Sequence, residues 1–289
     1  MSVIRAPKAN DLIGGRYRLV REIGHGAAGR VFEGKDTIRR NMPDLAIKVI
    51  VKRSAQLNTE LLILKSIGES MFWPSLIDSG RAYMVLSLEG PTLGDLLKNS
   101  KNGILDATTV LHIGYHALRA LAALHARGVA HRDVQEGNIA IGGPNKANVV
   151  LLDFGIARKF WKKTSSRSNS PRYMFCSTPF CSVAVAEGNQ PEMADDVHAL
   201  AHLLLYCRKA VDFLQISNKS LMKTKKRLAE DPESVLRPKN RFMADMVYQM
   251  LKVTPATGTK YGSIVKSITK TPEFKSRALF KEHIKKYIK

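Results

Sequence analysis

From His131 to Asn138 the chain reads His-Arg-Asp-Val-Gln-Glu-Gly-Asn, and Asp153-Phe154-Gly155 begins fifteen residues after Asn138. Asn138 and Asp153 carry the amide and carboxylate oxygens that a hard divalent cation prefers, and Asp133 a carboxylate that can accept a proton. Each triplet is weak alone, and Asp133 by itself reads as a turn-capping residue. The rest of the chain decides between these readings.

Tyr17 to Glu33 alternates like two strands around a glycine turn, Ile23-Gly24-His25-Gly26-Ala27-Ala28-Gly29-Arg30-Val31. Glycines at 24, 26 and 29 let backbone N–H groups approach a phosphate chain with no Cβ in the way. The same spacing opens a helix in dinucleotide-binding folds. Here Arg30-Val31-Phe32-Glu33 reads as another strand, which favours a β-turn-β flap over a nucleotide. Ala27 and Ala28 give that flap a small tip. Leu45 to Val51 is a buried-strand pattern with Lys48 in its middle, where an ammonium needs a carboxylate partner. Leu57, Glu60, Leu61 and Leu64 recur at helical spacing, and Glu60 is the one acid between Ser54 and Ile67. It is the natural partner of Lys48. The alternatives are a strand-edge lysine that snorkels to water and a Glu60 on an exposed helix face. Ala82 to Leu88 forms a short apolar strand, and Glu89-Gly90-Pro91 breaks it as a hinge. Leu86 is expected at the back of a nucleotide pocket, with Ser87 and Leu88 offering backbone groups to an adenine.

Leu111, Tyr115, Leu118 and Ala122 follow a helical stripe that runs to Gly128, a C-cap candidate. Gly24, Lys48, Glu60, Asp133, Asn138 and Asp153 then stand in one order. On these residues the chain resembles a eukaryotic protein kinase from Tyr17 to Ile268. It is most similar to the casein kinase I group, including its tau-tubulin kinase branch. The cues are Leu88-Glu89-Gly90-Pro91-Thr92-Leu93, Ala194-Asp195-Asp196-Val197, and Ser182-Val183-Ala184 where other kinases carry Ala-Pro-Glu.

The resemblance implies an α+β, bilobal fold: a small antiparallel sheet with one helix, then a larger, mostly helical lobe. Residues 1–16 are an N-terminal extension, 17–88 the first lobe and 89–289 the second. It implies ATP and Mg²⁺ as cofactors, with a nucleotide site of Ile23, Gly24, Gly26, Gly29, Val31, Ala46, Lys48, Leu86 and Leu88. Lys48 meets the α- and β-phosphates and Glu60 holds Lys48. Asp133 takes or orients the proton of the attacking hydroxyl, while Asn138 and Asp153 hold the metal. Asp196 braces the catalytic loop from below, on a helix whose Leu200, Leu203, Leu204 and Leu205 read as buried.

Two departures from the family pattern matter. Gln135 stands where serine/threonine kinases carry a lysine that contacts the γ-phosphate, and an amide can bond the phosphate without neutralising it. Glu136 beside it adds a negative charge. Pro179 replaces an arginine that casein kinase I members use to bind an anion, which puts preference for phosphate-primed substrate in question. Two readings follow, an active kinase and a weakly active or inactive kinase-fold scaffold for ATP or a protein.

Formal charge is +21, from 46 Lys+Arg against 25 Asp+Glu. A field of that size favours an acidic or phosphorylated protein substrate, or a cytoskeletal or other polyanionic partner. Arg158 to Arg172 is basic and serine-rich, reading as a solvated loop or an acidic-substrate dock with phosphorylatable Thr164, Ser165, Ser166, Ser168 and Ser170. Lys223 to Arg227 and Lys281 to Lys289 read as solvated helix faces, and the tail is expected to pack back onto the fold. His112, His125 and His202 read as core or surface histidines. Cys176, Cys181 and Cys207 lack metal-ligand spacing and suggest plain thiols in a reducing compartment. Met1 to Asp11 has no apolar leader and no run reaches membrane-spanning length, so the expectation is a cytosolic or nuclear monomer without a transmembrane segment.

Overall fold

Strand-forming residues dominate the first ninety positions, and they build one six-stranded sheet in the order β1-β2-β3-β4-β6-β5. The computed structural model describes residues 6–26, 29–39, 41, 43–50, 55–142, 148–160, 179–214, 217–254 and 260–274. The strands are β1 (Leu12–Ile13), β2 (Tyr17–Gly26), β3 (Gly29–Asp36), β4 (Leu45–Val49), β5 (Leu76–Gly80) and β6 (Tyr83–Ser87). Every pairing is antiparallel.

Side chains on a strand alternate between faces, and β4 uses both. Leu45, Ile47 and Val49 turn to an outer cluster with Tyr17, Leu19, Phe32 and Val85. Ala46 and Lys48 turn the other way, toward helix α1 (Ala55–Ile67), whose Leu57 and Leu64 are buried. That two-sided burial explains the nearly continuous apolar run around a single lysine.

The second lobe packs helices around α3 (Ala107–His125) and α5 (Met193–Cys207), whose central residues are buried on nearly all sides. The shorter α2 (Leu93–Asn99) begins at a Thr92–Asp95 capping box, and Asp106 caps α3 through the Thr109 N–H at 2.9 Å. Gly128 takes the left-handed conformation just past α3, with its N–H on the His125 carbonyl. After it come β7 (Val129–Ala130), β8 (Ile139–Gly142), β9 (Asn148–Leu151) and β10 (Arg158–Lys159). Helices α4 (Val183–Ala186), α6 (Asn218–Glu230), α7 (Pro232–Val235), α8 (Ala244–Leu251) and α9 (Tyr261–Thr269) complete the lobe. The architecture is the bilobal kinase fold.

Two small pairings carry the chemistry-bearing loops. Strands β8 and β9 pair with Ile139 opposite Leu151, and the Leu152 N–H reaches the Asn138 carbonyl at 2.8 Å. A hairpin therefore closes the sequence gap between Asn138 and Asp153. Strand β7 pairs with β10, so the stretch entering the catalytic loop lies beside the one leaving Asp153-Phe154-Gly155.

Among the described residues no helix is long and apolar enough to cross a membrane. Cys207 is a buried thiol, while Cys181 is disulfide-bonded, contrary to the plain thiol that the sequence suggested. Thr164, Ser165, Ser166, Ser168, Ser170, Cys176 and the tail from Lys281 to Lys289 lie outside the described residues.

Candidate active site

Register across the sheet sets the first half of the site. Gly24 pairs with Val31, Val31 with Lys48, and Ala46 with Leu86. Val31, Ala46, Lys48 and Leu86 thus share the sheet face that turns toward α1, with Gly24 at its edge. Ile23 is exposed beside Gly24, and Leu88 is half-buried just past β6. Gly26 ends β2 and Gly29 opens β3. Gly29 has φ +150°, and a Cβ there would stand 2.2 Å from the Val49 carbonyl oxygen. That glycine is required for close approach to β4. No comparable obstacle surrounds Gly24, whose added Cβ would meet nothing within 4 Å.

The Lys48 ammonium bonds Glu60 Oε2 at 2.5 Å and lies 3.3 Å from Asp153 Oδ1. Lysine and glutamate are both buried, and neither alternative expectation describes them: Lys48 does not snorkel and Glu60 is not on an exposed face. Burial pulls the Lys48 pKa down, but the two carboxylates outweigh it and hold the amine above its ordinary value. Burial pushes the Glu60 carboxyl up against the pull of Lys48, and the Phe154 backbone N–H also bonds it. Sheet, helix α1 and the Asp153 loop therefore meet at one charge cluster.

The catalytic-loop stretch is held from below by Asp196 on α5. Its carboxylate accepts the His131 and Arg132 backbone N–H groups, each at 2.7 Å, and faces His125 Nε2 at 2.9 Å. Arg132 is held at φ +71°, a conformation non-glycine residues seldom adopt, so the Asp196 bonds set the turn that presents Asp133. The His131 ring packs 5.0 Å from that of Phe154, and its Nε2 meets the Leu152 carbonyl at 3.0 Å.

Asp133 Oδ2 accepts the Asn138 side-chain amide at 2.8 Å and the Gln135 amide at 2.9 Å. Asn138 Nδ2 also reaches the Asp133 carbonyl at 3.0 Å. Because both partners of that nitrogen are acceptors, the amide orientation is fixed and Asn138 Oδ1 points elsewhere. Asp153 Oδ1 takes the Gly155 N–H at 3.0 Å as well as Lys48, leaving Oδ2 unengaged by the described residues. Asn138 Oδ1 and Asp153 Oδ2 are thus two hard oxygen donors on loops that one hairpin joins, a donor set that suits Mg²⁺. The Asp133 carboxyl is raised above its usual range, first by burial and then by Asp153, against the lowering pull of His131, Gln135 and Asn138.

The Ser87 N–H is committed to the Ser75 carbonyl at 3.0 Å. The sequence missed three roles. His125, read as a plain core or surface residue, bridges Asp196 and the Tyr261 hydroxyl of α9. Gln135, read only as an uncharged partner for the γ-phosphate, donates to Asp133. Glu136 packs toward Gly94 at the start of α2.

The protein kinase domain family matches residues 17–267. The chain belongs to the protein kinase family. It is 34% identical over 158 residues to a probable serine/threonine-protein kinase of Dictyostelium discoideum, covering 53% of this chain and 32% of that one. It is 30% identical over 217 residues to a putative serine/threonine-protein kinase of Caenorhabditis elegans, covering 69% of this chain and 62% of that one. The chain thus spans less than two thirds of the length of these curated relatives. The structure of vaccinia related kinase 3 superposes with a TM-score of 0.77 at 17% identity, over 98% of this chain and 94% of that one. A likeness that distant speaks for the fold, and as a family member the chain has ATP and Mg²⁺ as its general class of cofactor.

Proposed function

We propose that this kinase transfers the ATP γ-phosphate to serine or threonine of protein substrates, as a divergent member of the casein kinase I group. The observation that carries the reading is the joint closure of Lys48 on Glu60 and on Asp153, beside an Asp133 already held by Asn138. In a phosphoryl transfer the protein needs little covalent chemistry; positioning and charge neutralisation lower the barrier. Lys48 orients the α- and β-phosphates, and Asp133 takes the hydroxyl proton. Asn138 and Asp153 would hold Mg²⁺, whose charge would offset that of the phosphates. Ile23, Val31, Ala46, Leu86 and Leu88 would hold the nucleotide, with Gly24, Gly26 and Gly29 as the flap over it. The +21 charge supports acidic protein substrates, in the cytosol or nucleus.

A second reading, a weakly active or inactive scaffold, rests on Gln135, which brings no positive charge to the γ-phosphate. Phosphotransfer with Mg-ATP to several acidic protein substrates, wild type beside Asp153→Asn, separates the two. Transfer by the wild type well above the variant is expected. Equal rates would leave only the scaffold.

A further inference from the structure

Helix α6 carries Lys223, Lys225, Lys226 and Arg227, a run that reads as a solvated basic face. Lys225 departs from it: only 2% of the residue is exposed, among the largest fully buried side chains in the protein. Its Nζ donates to the Cys181 carbonyl at 2.6 Å, and among the described residues no carboxylate pairs with it. Burying an ammonium on a single neutral acceptor is unfavourable, so the position is not explained by stability.

The stretch that Lys225 holds is fastened at three successive residues. The Phe180 carbonyl lies 2.8 Å from His202 Nδ1 of α5. The Cys181 carbonyl takes Lys225 of α6. The Ser182 hydroxyl donates to Asp195 Oδ1 of α5 at 2.5 Å, and its Oγ caps α4 through the Val185 N–H. The Phe180 ring is seated against Tyr206 and Phe213, at centroid distances of 5.1 and 6.1 Å. Asp195 and His202 ride on the same helix as Asp196, which fixes the His131 and Arg132 backbone next to Asp133. The chain that leaves the site at Asp153 therefore returns at Phe180 into a frame shared with the catalytic loop. Helix α6 is a separate element, and Lys225 ties it into that frame.

We propose that Lys225 is a positioning residue for the protein acceptor: its bond to Cys181 completes a clamp, with His202 and Asp195, that registers the Phe180–Ser182 backbone to the catalytic loop. The role as acceptor platform rests on the kinase reading above; the clamp itself does not. Lys225→Met keeps the apolar stem and removes the donor. Amide hydrogen exchange on the full chain, saturated with Mg-AMP-PNP, reads the clamp without turnover. Exchange over residues 179–187 is expected to quicken roughly tenfold, with residues 48–60 and 131–138 unchanged and the melting midpoint within a few degrees of wild type. In phosphotransfer to a serine peptide flanked by acidic residues, peptide KM is expected to rise roughly tenfold at unchanged KM for ATP. Unchanged exchange over 179–187 would overturn the clamp. Faster exchange throughout the second lobe with a lowered midpoint would reduce Lys225 to a structural residue and overturn the proposal, as would an unchanged peptide KM in an active enzyme. A wild type that transfers no phosphate strikes the kinase reading, and the exchange result then decides the clamp alone.

Discussion

Gln135 and Asn138 donate to the same oxygen of Asp133, at 2.9 and 2.8 Å. The residue that replaces the usual lysine therefore still holds the Asp133 carboxylate; what it lacks is charge. Gln135→Lys should keep a donor within reach and add a cation near the transferring phosphate, raising kcat by roughly tenfold. A rate unchanged or lower in steady-state phosphotransfer would show that the missing charge is no handicap.

Gln135→Ala tests the other half of the relationship. The Gln135 bond favours ionised Asp133, so its loss lets the carboxyl rise further above the ordinary range than burial already holds it. In the proposed role of base, Asp133 must be ionised to take a proton. The acid limb of the kcat–pH profile should then move to higher pH in Gln135→Ala, while Gln135→Lys moves it lower. An acid limb that stays in place in both variants would detach Gln135 from Asp133.

Lys48 and Glu60 lie together out of water, 2.5 Å apart. Removing Glu60 leaves the buried ammonium with Asp153 alone, 3.3 Å away, and Glu60→Leu by itself should destabilise the protein by about 3 kcal/mol. The double variant Lys48→Met/Glu60→Leu should recover most of that loss and none of the phosphotransfer. Denaturant midpoints for the two variants check this; a double variant no more stable than Glu60→Leu contradicts it.

Gly24 and Gly29 belong to one sequence motif but face different obstacles. Gly29→Ala forces a Cβ onto the Val49 carbonyl in an unfavourable backbone region, and should cost about 1–3 kcal/mol of stability. Gly24→Ala meets open space, so its melting midpoint should match the wild type while KM for ATP rises. Equal thermal losses in both would mean that the flap is strained throughout.

Two buried bases set separate pH windows in which stability rises with pH. His202 is kept neutral, its pKa lowered from 6.5 to about 3, chiefly by burial and then by Lys225. Below pH 6.5 the unfolded chain binds a proton that the folded one refuses, so stability falls with acidification toward pH 3. Lys225 is lowered by burial from 10.5 to about 8. Between those values the unfolded state again holds the extra proton, so this group adds stability as pH rises, up to about 3 kcal/mol. Lys225→Met should remove that alkaline gain in denaturation midpoints from pH 8 to 10.5.

Most of the candidate site's geometry was legible because residue type and order leave few partnerships open. A lysine inside an apolar strand and one acid on the next helix allow few partnerships. The β8–β9 hairpin accounts for the gap between Asn138 and Asp153 once the strands are seen. Lys225 was harder to read because its neighbours are charged. Even so, Leu221, Lys225 and Leu228 follow the i, i+4, i+7 spacing of the buried side of α6, which charge clustering obscured. His125 and Tyr261 meet across 136 residues of sequence, and no local pattern announces such a contact. Gln135 was judged by what it replaces, and its bond to Asp133 depends on a loop geometry that Asp196, far along the sequence, helps to set.

Asp195 and Asp196 are consecutive, so their side chains leave α5 about 100° apart. One secures Ser182 and the other the turn before Asp133. The spacing between the reacting carboxylate and the returning backbone is thereby written into a single peptide unit. Any shift of α5 therefore carries both ends of that spacing together, so a substitution that moves the helix retunes the acceptor frame and the catalytic turn as one unit.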